Sequence, residues 1–217
     1  MKENSVIFDL DGTLWDSSAQ VAECWSQVGA RLLGPGFSLT PDDVKAQMGK
    51  TMDEIAFSLL GPSCPAERAK EVGKELFESE NAYLANHPGT LMDGVGETLA
   101  SLKVKYRLFI VSNCQSGYIE TFLPLLPEGT FDGHMCFDDT KAEKAVTIKA
   151  LMKAYSLKEA IYVGDTMKDE EAAHKAGLRF VYCAYGFGKA ANPEFAISSF
   201  KELAYVLPKA FGALKSK

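Results

Sequence analysis

A chain of 217 residues, 47% hydrophobic and 24% charged, can bury a sizeable core and fits one core domain with an insertion better than two full domains. Its net charge of −6 offers no basic footprint for nucleic acid and reads as surface solubility. Five scattered cysteines (Cys24, Cys64, Cys114, Cys136, Cys183), no run of about 18 apolar residues and an apolar start broken at Asp9 argue against a disulfide framework, a zinc site, a membrane span and a signal peptide; a cytoplasmic enzyme or binding protein is expected.

The first predicted element is a strand over residues 5–10. Val6, Ile7 and Phe8 suit a sheet interior, yet the run ends in Asp9, Asp11, Gly12 and Thr13. From Ser17 to about Asn86 the apolar residues take helical spacing, in "SSAQVAECWSQVGARLL", "TPDDVKAQM", "KTMDEIAFSLL" and "PAERAKEVGKELFESENAYLAN". Ser18, Thr40 and Ser63 are start signals, Pro41 suits a first helical turn, and Gly34-Pro35-Gly36 and Gly61-Pro62 break the run. This stretch reads as a helical insertion. After His87-Pro88-Gly89 strands and helices alternate. "RLFIVSN", "HMCF", "AIYVGD" and "RFVYCAY" read as strands; "GVGETLASLKVKY", "GYIETFLPLL", "EKAVTIKALMKAYS", "DEEAAHKAG" and "SSFKELAYVLPKAF" read as helices. The alternation implies a three-layer, Rossmann-like parallel sheet with helices on both faces. Ligands in such sheets sit beyond the carboxyl ends of the strands.

Three of these strands end in polar residues: Asp9 and Asp11, then Ser112 and Asn113, then Asp165 with Asp169 four residues on. One sheet edge would gather them. Carboxylates that close repel in a partly buried site, so positive charge must be present. Mg²⁺ is the expected cation, because it takes oxygen ligands and often bridges carboxylate and phosphate. His87, His134 and His174 are too dispersed to form a ligand cluster and read as surface or capping residues. A second positive charge would come from Lys144, which opens the helix before "AIYVGD", or from Lys141, three residues earlier. An aspartate beside Mg²⁺ and lysine suits nucleophilic attack on phosphorus. A second aspartate two residues on can exchange protons with the leaving oxygen and the attacking water.

"DLDGT", "VSN", the helix-opening lysine and "GDTMKD" together resemble the four ordered motifs of the haloacid dehalogenase superfamily, across residues 5–15 and about 89–185. The resemblance implies that Asp9 is nucleophile and metal ligand. It implies that Asp11 is the acid/base and binds metal through its carbonyl, and that Thr13 steadies the turn. Leu10, Asp11, Ser112, Asn113 and Lys144 fall in the implied phosphate-binding set, with Ser112 acting through its hydroxyl, Asn113 through its backbone N–H, and Lys144 preferred over Lys141. Asp165 matches the third metal ligand, and Asp169 a support or a ligand through water. The helical stretch resembles an α-helical cap, residues 17–87, on a core of residues 1–16 plus 88–217. "MGKTMDEI" makes Gly49 and Lys50 candidate substrate contacts.

Within that resemblance, Asp11 argues against a dehalogenase, and Met52 stands roughly where mutase relatives carry an arginine. The implied activity is a Mg²⁺-dependent phosphatase acting on a small phosphorylated metabolite, similar to phosphoglycolate phosphatases. The alternatives are a sugar-phosphate mutase on the same fold and a non-catalytic phosphate-binding protein. Cys114, Trp15 and Trp25 read as packing residues, "YGFGK" as a turn that needs glycine conformations, and Asp138-Asp139 and Glu170-Glu171 as solvated faces.

Overall fold

The computed structural model describes residues 3–61 and 65–212. The Gly61-Pro62 break, the Ser63 start signal and Cys64 therefore fall wholly or partly outside the described residues.

The chain opens with β1 (Asn4–Phe8) and a two-residue strand β2 (Trp15–Asp16). Helix α1 (Ser18–Leu33) follows. Its start is held by Asp16, whose Oδ1 accepts the Ser18 N–H at 2.9 Å and the Ser18 hydroxyl at 2.6 Å. Helix α2 (Pro41–Lys45) is capped reciprocally: Thr40 Oγ1 accepts the Asp43 N–H, and Asp43 Oδ2 accepts the Thr40 N–H at 2.8 Å. It is shorter than the predicted helix to Met48, because the chain turns through Ala46–Lys50 and Gly49 takes φ 78. Helices α3 (Met52–Leu60) and α4 (Ala66–Leu84) complete the helical stretch, α4 packing on both α1 and α3.

The return strand β3 (Thr90–Leu91) pairs antiparallel with β2, so the outgoing and incoming chains are stitched side by side. Then come α5 (Val95–Lys105), β4 (Arg107–Val111), α6 (Tyr118–Phe122), β5 (Gly133–Met135) and α7 (Phe137–Thr140). After them run α8 (Lys144–Ala154), β6 (Glu159–Gly164), α9 (Met167–Ala176), β7 (Arg179–Cys183), β8 (Phe195–Ile197) and α10 (Leu203–Gly212). Phe137 begins α7 instead of ending a strand. Strand β8 goes beyond the predicted set; three residues give too short a run for periodicity to register.

The main sheet has the order β5-β4-β1-β6-β7-β8 with every pairing parallel, so it is an α/β Rossmann-like sheet, as expected. Alternate residues feed two cores. Val6, Phe8, Ile110 and Val163 pack on one face; Ile7, Phe109, Val111 and Tyr162 pack on the other. Burial on both faces explains why the strands read as continuous apolar runs. Central β1 has neighbours on both sides, which puts its carboxyl end beside those of β4 and β6. No helix among the described residues is long and apolar enough to cross a membrane.

Asp132 ties the sheet's β4–β5 side together. Its Oδ2 accepts the Leu108 N–H at 2.8 Å and pairs with Lys103 at 2.9 Å. Partial burial acts to raise its pKa, but Lys103 and the Leu108 amide outweigh it and hold the carboxyl below the usual aspartate range. A depressed folded value means the stabilisation is present above the unfolded pKa and fades as pH falls through the folded one. Asp132→Asn should cost about 0.5–1.5 kcal/mol at neutral pH. That deficit should shrink below about pH 4, as read by urea unfolding across a pH series.

Candidate active site

The turn after β1 is built by one carbonyl. Leu10 O accepts the N–H groups of Thr13, Leu14 and Trp15 at 3.2, 2.8 and 3.4 Å. The Leu10 side chain is itself in the core, which leaves its main chain for any role at the turn. Gly12 takes φ +75, and a Cβ there would stand 2.4 Å from Asp165 Oδ2. Position 12 therefore needs both the conformation and the missing side chain of glycine.

Asp9, Asp165 and Asp169 converge from β1, β6 and α9, each offering an oxygen within 4.8 Å of the others, and all three are buried. The start of α8 brings in Lys144, whose Nζ lies 2.8 Å from Asp9 Oδ1 and 2.7 Å from Asp169 Oδ1. Lys141 instead closes α7 in a left-handed conformation at φ 50. Among the described residues Lys144 is the one buried lysine or arginine. Burial would push its pKa down, but Asp169 and Asp9 hold it well above the lysine range. Burial, with Asp169 next, pushes Asp9 well above the ordinary carboxylate range and Asp165 up to about 7. Three carboxylates against one ammonium is a deficit of positive charge. The donors are all hard oxygens in a compact group, which fits a divalent cation such as Mg²⁺. Asp169 also caps α9: its Oδ2 accepts from the Thr166 N–H at 3.0 Å and hydroxyl at 2.6 Å.

Asp11 faces the other way. Its Oδ1 accepts Trp15 Nε1–H at 2.9 Å, the Ser17 hydroxyl at 3.1 Å and the Tyr118 hydroxyl at 2.8 Å. Burial raises its pKa to about 6 against the pull of those donors. Thr13 Oγ1 donates to Asp165 Oδ1 at 3.4 Å. Ser112 and Asn113, beyond β4, line the same cleft as Asp9 and Asp11. Asn113 Nδ2 donates to Gly49 O at 3.0 Å, so its side chain reaches the helical stretch. Gly49 and Lys50 also line the cleft, with Lys50 Nζ held 2.8 Å from Gln47 Oε1.

Residues 6–183 match the haloacid dehalogenase-like hydrolase family. The chain belongs to that family. Among curated relatives, the phosphoglycolate phosphatase of Vibrio parahaemolyticus is 28% identical over 93% of this chain and 95% of its own. That of Aquifex aeolicus is 26% identical over 89% and 91%. A haloacid dehalogenase-like hydrolase from Bacteroides fragilis superposes with a TM-score of 0.80 at 25% identity, covering 94% of this chain and all of that one. CbbY from Rhodobacter sphaeroides, solved with xylulose-1,5-bisphosphate, shares the fold with a TM-score of 0.76 at 19% identity, covering 94% and 96%.

The haloacid dehalogenase-like motifs miss one part of the site, the loop after β7. Phe187 N–H donates to Asp165 Oδ2 at 2.7 Å, and Gly188 N–H reaches the same oxygen at 3.3 Å. Neither Gly186 nor Gly188 has a positive φ. A Cβ on Gly186 would stand 2.3 Å from Asp165 Cβ, and one on Gly188 2.9 Å from Asp165 O. These glycines are needed for room, not for conformation, which corrects the reading of "YGFGK" as a simple turn. Of the two acidic pairs only Glu170 departs from the solvated reading; Asp138, Asp139 and Glu171 are exposed, as expected. Glu170 is buried and accepts the Ala191 and Asn192 N–H groups at 2.6 Å each. Asp138 accepts Ser116 N–H at 2.8 Å, and Asp139 accepts Cys136 N–H at 2.7 Å. The amides on Glu170 and Asp138 come from turns 21 or 22 residues away, which spacing alone cannot reveal, whereas Asp139 caps the start of its own helix.

Gly186→Ala should destabilise the protein by about 1–3 kcal/mol, because neither Asp165 nor the loop can move without breaking the amide contacts. Gly36→Ala, where a Cβ meets nothing within 4 Å and φ is not positive, should be neutral or slightly stabilising. Thermal melts of the two variants side by side would check the contrast.

Proposed function

We propose that this enzyme, a phosphoric monoester hydrolase, cleaves small phosphomonoesters through a phosphoryl group carried on Asp9. The supporting observation is Lys144, clamped between Asp9 and Asp169 in a buried carboxylate cluster. That cluster disfavours negative charge until a cation and a substrate phosphate enter together. Asp9, Asp165 and the Asp11 carbonyl would hold Mg²⁺. Asp169, with both oxygens engaged by Lys144 and Thr166, would orient the lysine or bind through water. When bound, Mg²⁺ supplies Lewis-acid neutralisation of the phosphoryl oxygens.

The chain's own groups do the rest. Main-chain N–H groups at Leu10 and Asp11, the Ser112 hydroxyl, the Asn113 N–H and Lys144 would grip the phosphoryl oxygens. An Asp9 oxygen attacks phosphorus as the bond to the leaving oxygen breaks. Three donors fix Asp11 through Oδ1, leaving Oδ2 for proton exchange. Asp11 gives a proton to the leaving oxygen, then takes one from the water that releases phosphate from Asp9. A raised Asp11 pKa suits a group that must both give and take.

The cap, residues 17–87, would exclude water from a core of residues 1–16 plus 88–217. Contacts across the cleft support this: Asn113 to Gly49, and Lys168 to Glu54 at 2.9 Å. Relatives named phosphoglycolate phosphatases support a small phosphorylated metabolite as substrate. Met52 lines the cleft without a charge, so the mutase reading gains no support.

Purified protein should hydrolyse p-nitrophenyl phosphate with Mg²⁺, lose that activity to a chelator, and regain it on adding Mg²⁺. Asp9→Asn should lower kcat at least about 10³-fold. Undiminished turnover by Asp9→Asn would end the proposal. Mg²⁺ should also raise the melting temperature of the wild type, and do so less in Asp165→Asn.

A further inference from the structure

The cap side of the cleft holds a second acid that phosphoryl transfer does not use. Glu80, near the end of α4, is 4% exposed and lines the cleft with Asp11 and Gln115. Its Oε2 accepts the Trp25 Nε1–H at 2.7 Å. The charged group that acts on it is another acid, Asp11; burial first, and Asp11 next, push its pKa up to about 8 against the Trp25 and Gln115 hydrogen bonds. Gln115 Nε2 donates to Asn81 Oδ1 at 3.0 Å, while Gln115 Oε1 is buried with no partner. An orphaned buried acceptor is uncommon and costs stability, so a donor brought to it by a ligand at the cleft wall would be favourable. The surrounding wall is apolar, from Val21, Trp25, Met52 and Ile55. Lys50 is the cation on this side, and its Nζ is turned to Gln47 Oε1 at 2.8 Å and Ser58 Oγ at 3.5 Å.

We propose that Glu80 and Gln115 form the subsite for the substrate's leaving group and select one that carries hydroxyl groups and no carboxylate, as in a phosphorylated polyol or sugar. This inference rests on the phosphatase reading above. A hydroxyl both donates and accepts, so it suits Glu80 in either protonation state and supplies the donor that Gln115 Oε1 lacks. Its carbon skeleton can lie on the apolar wall. A carboxylate offers no donor to Gln115 and would bring an anion to a buried, acid-lined wall where charge on Glu80 itself is disfavoured, which discriminates against it. The subsite thus separates this chain from an enzyme built around the carboxylate of phosphoglycolate.

The test compares kcat/KM for glycerol 3-phosphate and phosphoglycolate, two esters of similar size. Hydrolysis of p-nitrophenyl phosphate serves as the check that the enzyme works. The wild type should favour glycerol 3-phosphate by about tenfold or more. Glu80→Gln puts an amide donor where the carboxyl stands, and Gln115→Leu removes the orphaned acceptor; each should lower that ratio by about tenfold. General loss of folded enzyme scales both substrates alike and leaves the ratio where it was. A wild type that prefers phosphoglycolate, or a ratio that neither variant moves, would overturn the inference while leaving the phosphatase reading intact. A wild type that hydrolyses none of the three esters would remove the phosphatase reading and this inference with it.

Discussion

The site depends on one buried ammonium. Lys144 sits 2.8 Å from Asp9 and 2.7 Å from Asp169, and it is 5% exposed. Without it the carboxylate cluster would be buried acid with no counter-charge, an arrangement that costs several kcal/mol. With it the cluster still holds three acids against one base, and burial first, then Asp169, raises the pKa values of Asp9 and Asp165. That residual imbalance is the physical basis for expecting a hard divalent cation. The ammonium, together with such a cation, is what would let a phosphoryl group be held by charge already in place instead of by solvent.

Around that ammonium the fold supplies rigid supports, each with a local cause. Asp169 is fixed because it caps α9, Asp165 because the loop after β7 gives it two amides, and Asp11 because three donors meet on one oxygen. Glycines at 12 and 186 let backbone come close where a Cβ would collide with Asp165. Ser17 shows the same economy. It stands at the N-cap position of α1, yet its hydroxyl serves Asp11, and Asp16 takes over the start of the helix. Two indoles divide their roles in a similar way. Trp15 and Trp25 are both buried, as packing residues should be, and each also donates its N–H to an acid, Asp11 and Glu80 respectively.

Much of this was legible from the amino-acid order. Apolar runs buried on both faces predicted the parallel strands, and the longer helices α1, α4, α5 and α8 fell where 3.6-residue spacing placed them, while α2 ended early and α7 took the end of a predicted strand. The polar ends of three strands marked Asp9, Ser112 and Asp165 because sheet topology carries such ends to one edge. What stayed hidden were partnerships formed across long separations. Glu170 looked solvated until the amides of Ala191 and Asn192 were found on it. The 185–189 loop looked like a plain turn until its glycines were seen against Asp165.

The sequence by itself determined the parallel strands, the helical stretch after the first of them and the polar residues that gather at the sheet's carboxyl edge, since each of these follows from local periodicity and motif order. Motif resemblance already preferred Lys144 to Lys141; tertiary structure alone decided that Asp11 turns toward the cap side and that Glu80 and Gln115 face the cleft. Those outcomes turn on side-chain direction and on which backbone amides remain unpaired after packing. Neither quantity is carried by spacing along the chain.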